Sequence, residues 1–258
     1  MVGVVAVEKK SKPRVGFFGM TSCKGCYFQF LLLGKKLIDI FDSLEIEHFW
    51  MLKEDNELGE FDIAIMDGAV SNKDNAEFVR KVREKSRYLI AYGTCACFGG
   101  IPALRNDVSG FHEKVYGKPI KLKPLQNVDP LDMHVKVDYH MVGCPVNEQE
   151  LLNVLRDLLL GKRPGEPDYP VCVDCKKAGI RCLFKDGIPC MGPVTIGGCG
   201  APCPASRSPC DGCRGKLPDA NWGSEYDLML EHGLTKDHII QKFAKYARIA
   251  KPGRVKGK

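Results

Sequence analysis

Long apolar runs are missing from this 258-residue chain: the longest, near Tyr27–Leu33, falls far short of the roughly 20 residues that span a bilayer. No basic stretch precedes the short apolar start MVGVVAVEKKSKPR, so a secretory signal is not expected and residence is read as cytoplasmic. Neither G-x-G-x-x-G nor G-x-x-x-x-G-K-[ST] occurs, which removes the usual phosphate cradles for NADP, FAD and ATP. Strong charge of one sign is also lacking. The net charge is only +6, and the basic residues from Lys242 to Lys258 read as an amphipathic helix with a solvated end. With no recognition motif beside them, nucleic acid is not an expected partner, and no membrane partner is expected either. Glutamine is scarce while Lys and Glu are abundant, a thermophile-like bias.

What is present is an ordinary apolar fraction of 44% and an unusual supply of thirteen cysteines. In the cytosol such cysteines are metal ligands or catalysts more often than disulfides. Eight of them lie between Cys172 and Cys213, and five, Cys23, Cys26, Cys95, Cys97 and Cys144, are scattered through the first part.

The first 160 or so residues alternate apolar strands and helical segments. Strands are expected at Arg14–Gly19, Glu45–Leu52, Phe61–Met66, Tyr88–Tyr92 and Asp138–Val142. Helices are expected over Cys23–Phe41, Asn72–Ser86 and Asn147–Leu160, the last closed by Gly161. The stretch from Ile101 to Val135, rich in Pro and charge, reads as irregular. Continuous apolar strands between helices indicate a parallel sheet covered on both faces, an α/β domain of flavodoxin-like type over residues 1–161. After the linker GKRPGEPDYP, residues 162–258 form a small, irregular, Cys-rich domain. Gly, Pro and Cys dominate there without periodicity, so metal ligation is expected to replace an apolar core.

Placed on this fold, Cys23 and Cys26 follow the first strand, Cys95 follows YLIAY and Cys144 follows YHMVG. All stand at the carboxyl edge of the sheet, where open α/β sheets hold ligands. Four thiolates converging there make an iron–sulfur site. In TCACFGG, Cys95 and Cys97 point to opposite sides if the segment is extended. Cys95, nearer the strand end, is assigned to the site, and Cys97 is read as a small buried hydrophobe. The remaining eight divide most simply into Cys172, Cys175, Cys182 and Cys190, then Cys199, Cys203, Cys210 and Cys213. Each half contains a CxxC pair, and local grouping keeps loop closures short, although interleaved groupings remain open. Two zinc knuckles would use the same ligand count. The sheet-edge quartet has no structural need for zinc, so iron–sulfur is the better account. None of the six histidines shows metal or catalytic spacing.

TSCKGC, GTCACFGG, VGCP and PCMGPVTIGGCGAPCPASRSPCDGC resemble the small, iron–sulfur subunit of nickel–iron hydrogenases. The likeness is to the cytoplasmic archaeal branch, the delta subunits of soluble sulfhydrogenases, and spans about residues 14–215. It implies a proximal cluster on Cys23, Cys26, Cys95 and Cys144, a medial one on Cys199, Cys203, Cys210 and Cys213, and a distal one on Cys172, Cys175, Cys182 and Cys190. Cysteines at positions 172 and 203 imply that all three are of the 4Fe-4S type. Asp67, at another strand end, stands where the family often carries an acidic residue close to the proximal cluster, as a ligand or a neighbour of one. The implied function is electron relay between the large nickel–iron subunit that activates H2 and further iron–sulfur and flavin (NADP-binding) subunits. The terminal acceptor, NADP or a sulfur compound among others, is left open. Other readings are an iron–sulfur subunit of a different multi-subunit oxidoreductase, or a zinc-stabilised interaction protein.

Overall fold

The structure, a computed structural model, describes residues 12–117 and 123–247. The start of the chain and the basic end beyond Ala247, both interpreted above from sequence, lie outside the described residues. The chain runs β1 (Arg14–Gly19), α1 (Gly25–Leu31), α2 (Lys36–Ser43), β2 (Glu45–Phe49), β3 (Phe61–Asp67), β4 (Val70–Asn72), α3 (Lys73–Glu84), β5 (Ser86–Tyr92) and α4 (Thr94–Phe98). It continues with α5 (Phe111–Tyr116), β6 (Pro124–Asp129), β7 (Tyr139–Met141), α6 (Glu148–Leu159), α7 (Val171–Lys177), α8 (Pro202–Ala205), α9 (Trp222–Glu231) and α10 (Lys236–Ala244).

Five strands form one sheet in the order β2-β1-β3-β5-β7, every pair parallel. With β4 and β6 set aside, this is the flavodoxin-like strand order. Alternate residues of each strand face opposite sides. Val15, Phe17, Ile63, Ile65, Ile90 and Tyr92 pack under α1, α2 and α6, while Phe18, Ala64, Met66, Leu89 and Ala91 pack under α3 and α4. Burial on both faces is why these strands read as unbroken apolar runs. α3 and α6 begin on Asn72 and Asn147, whose side chains accept from the amides of Asn75 at 2.7 Å and Glu150 at 3.1 Å.

Three local differences from the expected pattern have physical causes. The helix expected over residues 23–41 is two helices separated by a turn at 32–35, which lets Phe30, Leu33 and Ile40 all reach the same core. The stretch expected to be irregular contains a 3-10 helix (Ile101–Asp107), α5 and β6, which pairs antiparallel with β4 from Val70↔Asp129 to Asn72↔Pro124. The Cys-rich region also has an apolar core of its own: Val171, Met191, Val194, Ala201, Met229, Ile239 and Phe243 cluster together. α9 and α10 supply the last three of these. Trp222 adds an edge-on contact to Phe243, with ring centroids 5.0 Å apart.

Candidate metal centres

The loop after β1 carries Cys23, the first turn of α1 carries Cys26, β5 runs through Gly93 into Cys95, and β7 runs through Gly143 into Cys144. Parallel strands put these three exits at one edge, and the four thiols become electrostatic neighbours. Cys23 and Cys144 act on Cys95, Cys95 and Cys144 act on Cys26, and Cys23 acts on Cys144. The approach is close: a Cβ on Gly93, at φ 87°, would collide with Cys26 Sγ. Asp67, the last residue of β3, is 1% exposed and within electrostatic reach of Cys26, Cys95 and Cys144. Its Oδ2 accepts from Ser22 Oγ at 2.6 Å. Burial pushes its carboxyl up, against the pull of Ser22, Lys24 and the Gly68 amide. Burial and then the Asp67 charge also push up the thiols of Cys26 and Cys95, the latter to about 12.

Cys97 is turned away. It lies in the helical turn α4 rather than in an extended segment, so the direction expected from strand alternation has a different cause. Its Sγ, 4% exposed as a residue, donates to Ala91 O at 3.4 Å and Met141 O at 3.8 Å.

α7 presents Cys172 and Cys175 on successive turns. Cys182 and Cys190 reach the same place: Cys172 is under the electrostatic influence of Cys190, Cys175 and Cys182. A Cβ on Gly192 would lie 3.2 Å from Cys172 Sγ and 3.5 Å from Cys190 Sγ, so the backbone there passes against both sulfurs. Burial and this crowding push Cys172 up to about 12.

Cys199, Cys203, Cys210 and Cys213 lie between the other two sets. Burial pushes the Cys213 thiol up to about 11, and Cys144 lies within its electrostatic reach. Thr94, next to Cys95, donates from Oγ1 to Cys213 O at 2.5 Å. On the far side the Cys210 amide donates to Cys190 Sγ at 3.2 Å, and Cys199 acts on Cys175. The spatial order is therefore the sheet-edge set, then Cys199–Cys213, then Cys172–Cys190.

The donor chemistry fits iron–sulfur clusters. All thirteen cysteines are free. Among the described residues no three His, Cys, Asp or Glu side chains close around a single ion. Burial among other thiols raises the proton affinity of Cys26, Cys95, Cys172 and Cys210, a cost that a metal centre able to hold them as thiolates removes.

Three residues around these sets carried no signal strong enough to find them from sequence. Asp174, between Cys172 and Cys175, accepts the amides of Gly198 at 2.8 Å and Gly200 at 3.2 Å and so pins the Cys199 loop to α7. Arg214 is buried beside Cys213 and paired with Glu150. Glu225 is 3% exposed, acts on Cys172 and Cys190, and its Oε1 has no hydrogen-bond partner. Burial pushes its carboxyl up to about 7. His140, near Cys144 in sequence, instead bonds Asp132 Oδ2 at 2.6 Å.

Residues 23–158 match the NADH ubiquinone oxidoreductase 20 Kd subunit family, and the chain belongs to that family. Within it, the chain is similar to hydrogenase subunits. It is 37% identical over 236 residues to sulfhydrogenase 2 subunit delta of Pyrococcus furiosus, covering 91% of this chain and 99% of that one. It is 28% identical to an F420-non-reducing hydrogenase iron-sulfur subunit of Archaeoglobus profundus, covering 92% of this chain and 94% of that one. Among solved structures, a chain of an NAD+-reducing [NiFe]-hydrogenase in the H2-reduced state superposes with a TM-score of 0.57 at 30% identity. That match covers 61% of this chain and 96% of the other. Among the described residues no helix is long and apolar enough to cross a membrane.

Proposed function

We propose that this chain is the electron-transfer subunit of a cytoplasmic nickel–iron hydrogenase complex. In this reading it holds three 4Fe-4S clusters, on Cys23/Cys26/Cys95/Cys144, Cys199/Cys203/Cys210/Cys213 and Cys172/Cys175/Cys182/Cys190. The observation that carries it is the serial contact of the three thiol sets, from Thr94, beside Cys95, on the Cys213 carbonyl to the Cys210 amide on Cys190. A single structural metal site would need no such chain. Likeness to hydrogenase subunits over nine-tenths of the length supports the partner assignment.

Clusters bound here supply reversible one-electron carriage; the protein supplies ligands, spacing, burial and hydrogen bonds. The sheet exits hold the first thiol set at a rigid edge, with Cys23 and Cys144 exposed there to meet a large nickel–iron subunit. Asp67 orders the loop before Cys23 through Ser22 and keeps a carboxyl among the first four thiols. The Cys210 amide and the Gly192 backbone crowd Cys190 and limit water near it. Cys182, exposed on the outer set, faces the side where an iron–sulfur or flavin subunit, linked to NADP or a sulfur acceptor, would receive electrons. Residues 1–161 serve as the sheet domain of the first cluster and 162–258 as the carrier of the other two.

Metal analysis of the anaerobically purified complex tests this. About twelve irons in this chain are expected, four for each four-cysteine set. About two zincs, with no charge-transfer absorbance, would overturn the reading in favour of a zinc-stabilised interaction protein.

A further inference from the structure

Among the described residues, Arg214 is the largest side chain with under 2% of its surface exposed. It directly follows Cys213. Its Nη1 donates to Glu150 Oε2 at 2.7 Å and to Val142 O at 2.7 Å, its Nη2 to Glu150 Oε1 at 3.0 Å, and its Nε to Ile196 O at 3.2 Å. These partners lie on three separate segments: α6, the β7 exit just before Gly143 and Cys144, and the strand-like stretch leading to Cys199. One guanidinium therefore fixes the middle thiol set to the first. Both Cys199 and Cys213 lie within its electrostatic reach.

Burying a charge pair is a poor way to gain stability, because desolvation consumes much of the attraction and a packed apolar pair of similar volume does as well or better. What an apolar pair lacks is a fixed positive charge beside sulfur. Adding an electron makes a cluster more negative, so a buried cation beside it favours the reduced form, and net charge is one of the factors that set cluster potentials.

We propose that Arg214 is the positioning residue that sets the reduction potential of the middle centre, on Cys199, Cys203, Cys210 and Cys213. It raises that potential relative to the same site without the cation, and Glu150 moderates the effect. This rests on the cluster reading stated under Proposed function.

The test is a redox titration of the anaerobically purified complex, followed by electron paramagnetic resonance, with iron content as a parallel readout. Glu150→Gln keeps the guanidinium and removes its counter-charge, so one of the three centres should shift to higher potential. Arg214→Gln should shift the same centre to lower potential. Arg214→Lys should stay nearer the wild type in potential while losing thermal stability, because the ammonium cannot reproduce the forked bond. A purely structural role cannot give opposite shifts in the two glutamine variants. With full iron content, unchanged potentials or shifts of the same sign would overturn the proposal. Should Arg214→Gln fail to assemble, the sign of the Glu150→Gln shift decides alone, and an unmoved or lowered potential there refutes it. Wild-type complex without iron in this chain would instead defeat the cluster reading itself.

Discussion

The sheet domain and the Cys-rich region solve the same stability problem by different means. In the first, Phe17 stacks on Phe49 with ring centroids 4.8 Å apart and packs tilted against Phe30 at 4.3 Å, and five parallel strands satisfy one another's backbone. In the second, regular pairing shrinks to isolated bridges such as Pro170↔Ile196 and Thr195↔Lys216, and a small apolar cluster sits among eight thiols. The first region has the burial to stand on its own core. The second sets the groups that would hold metal in and around a small apolar core. The loss of bound metal should therefore cost the second region more than the first.

Stripping iron with a chelator under reducing conditions should break the comparison most visibly. Amide exchange protection should collapse across residues 171–217 and persist in β1, β3 and β5, as measured by hydrogen exchange and mass spectrometry. Equal loss in both regions would show that the sheet also depends on its cluster.

A smaller, local effect is expected of Cys203→Ala, which removes one ligand of the middle set. About one iron should be lost, with a 3Fe-4S signal appearing in the oxidised protein by electron paramagnetic resonance. An unchanged spectrum would contradict the grouping of Cys203 with Cys199, Cys210 and Cys213.

Glu225 gives the Cys-rich region a pH dependence of its own. Its carboxyl moves from an ordinary 4.5 up to about 7 in the fold because burial disfavours the charge. The folded state thus binds more protons than the unfolded state between those values, and stability falls as pH rises through that window. Glu225→Gln should leave stability near pH 4.5 nearly unchanged and raise it above pH 7 by about 3 kcal/mol. Thermal melts from pH 5 to 8 check this, and a variant that loses stability at pH 8 would assign Glu225 a stabilising charge.

The smallest effect should come from Cys97→Ala in the sheet domain, costing about 1 kcal/mol for the lost buried atom. Iron content should not change. Loss of about four irons would exchange the roles of Cys95 and Cys97.

Much of the sheet was legible from periodicity because local sequence and burial agree there: RVGFFG, FDIAIM and YLIAY are apolar on both faces and sit between helices. The turn at 32–35 carried one signal, Gly34, which adopts φ 58° there, and a single expected helix ran through it; the packing of Phe30 and Ile40 against one core makes the break necessary. β6 was hidden because PLQNVD is polar and pairs with a three-residue strand more than fifty positions away. α9 and α10 as the roof of a second core were also missed, their buried residues being few and widely spaced. Of the candidate site, the cysteines stood out by number and spacing. Asp174, Arg214 and Glu225 did not, because a lone charged side chain has the same appearance in sequence whether it is solvated or buried.

The sequence by itself determined the candidate ligands and the edge: which thiols exist, and that four of them follow strands whose carboxyl ends coincide. Strand direction and residue type are local properties, and local properties can be read along the chain. The serial order of the thiol sets was implied only by the resemblance to a known family, not by any local pattern, and only the tertiary structure decided the burial of Arg214 against Glu150 and Val142. Those relations join residues far apart in sequence, and no local pattern encodes which loops will meet once the core has closed.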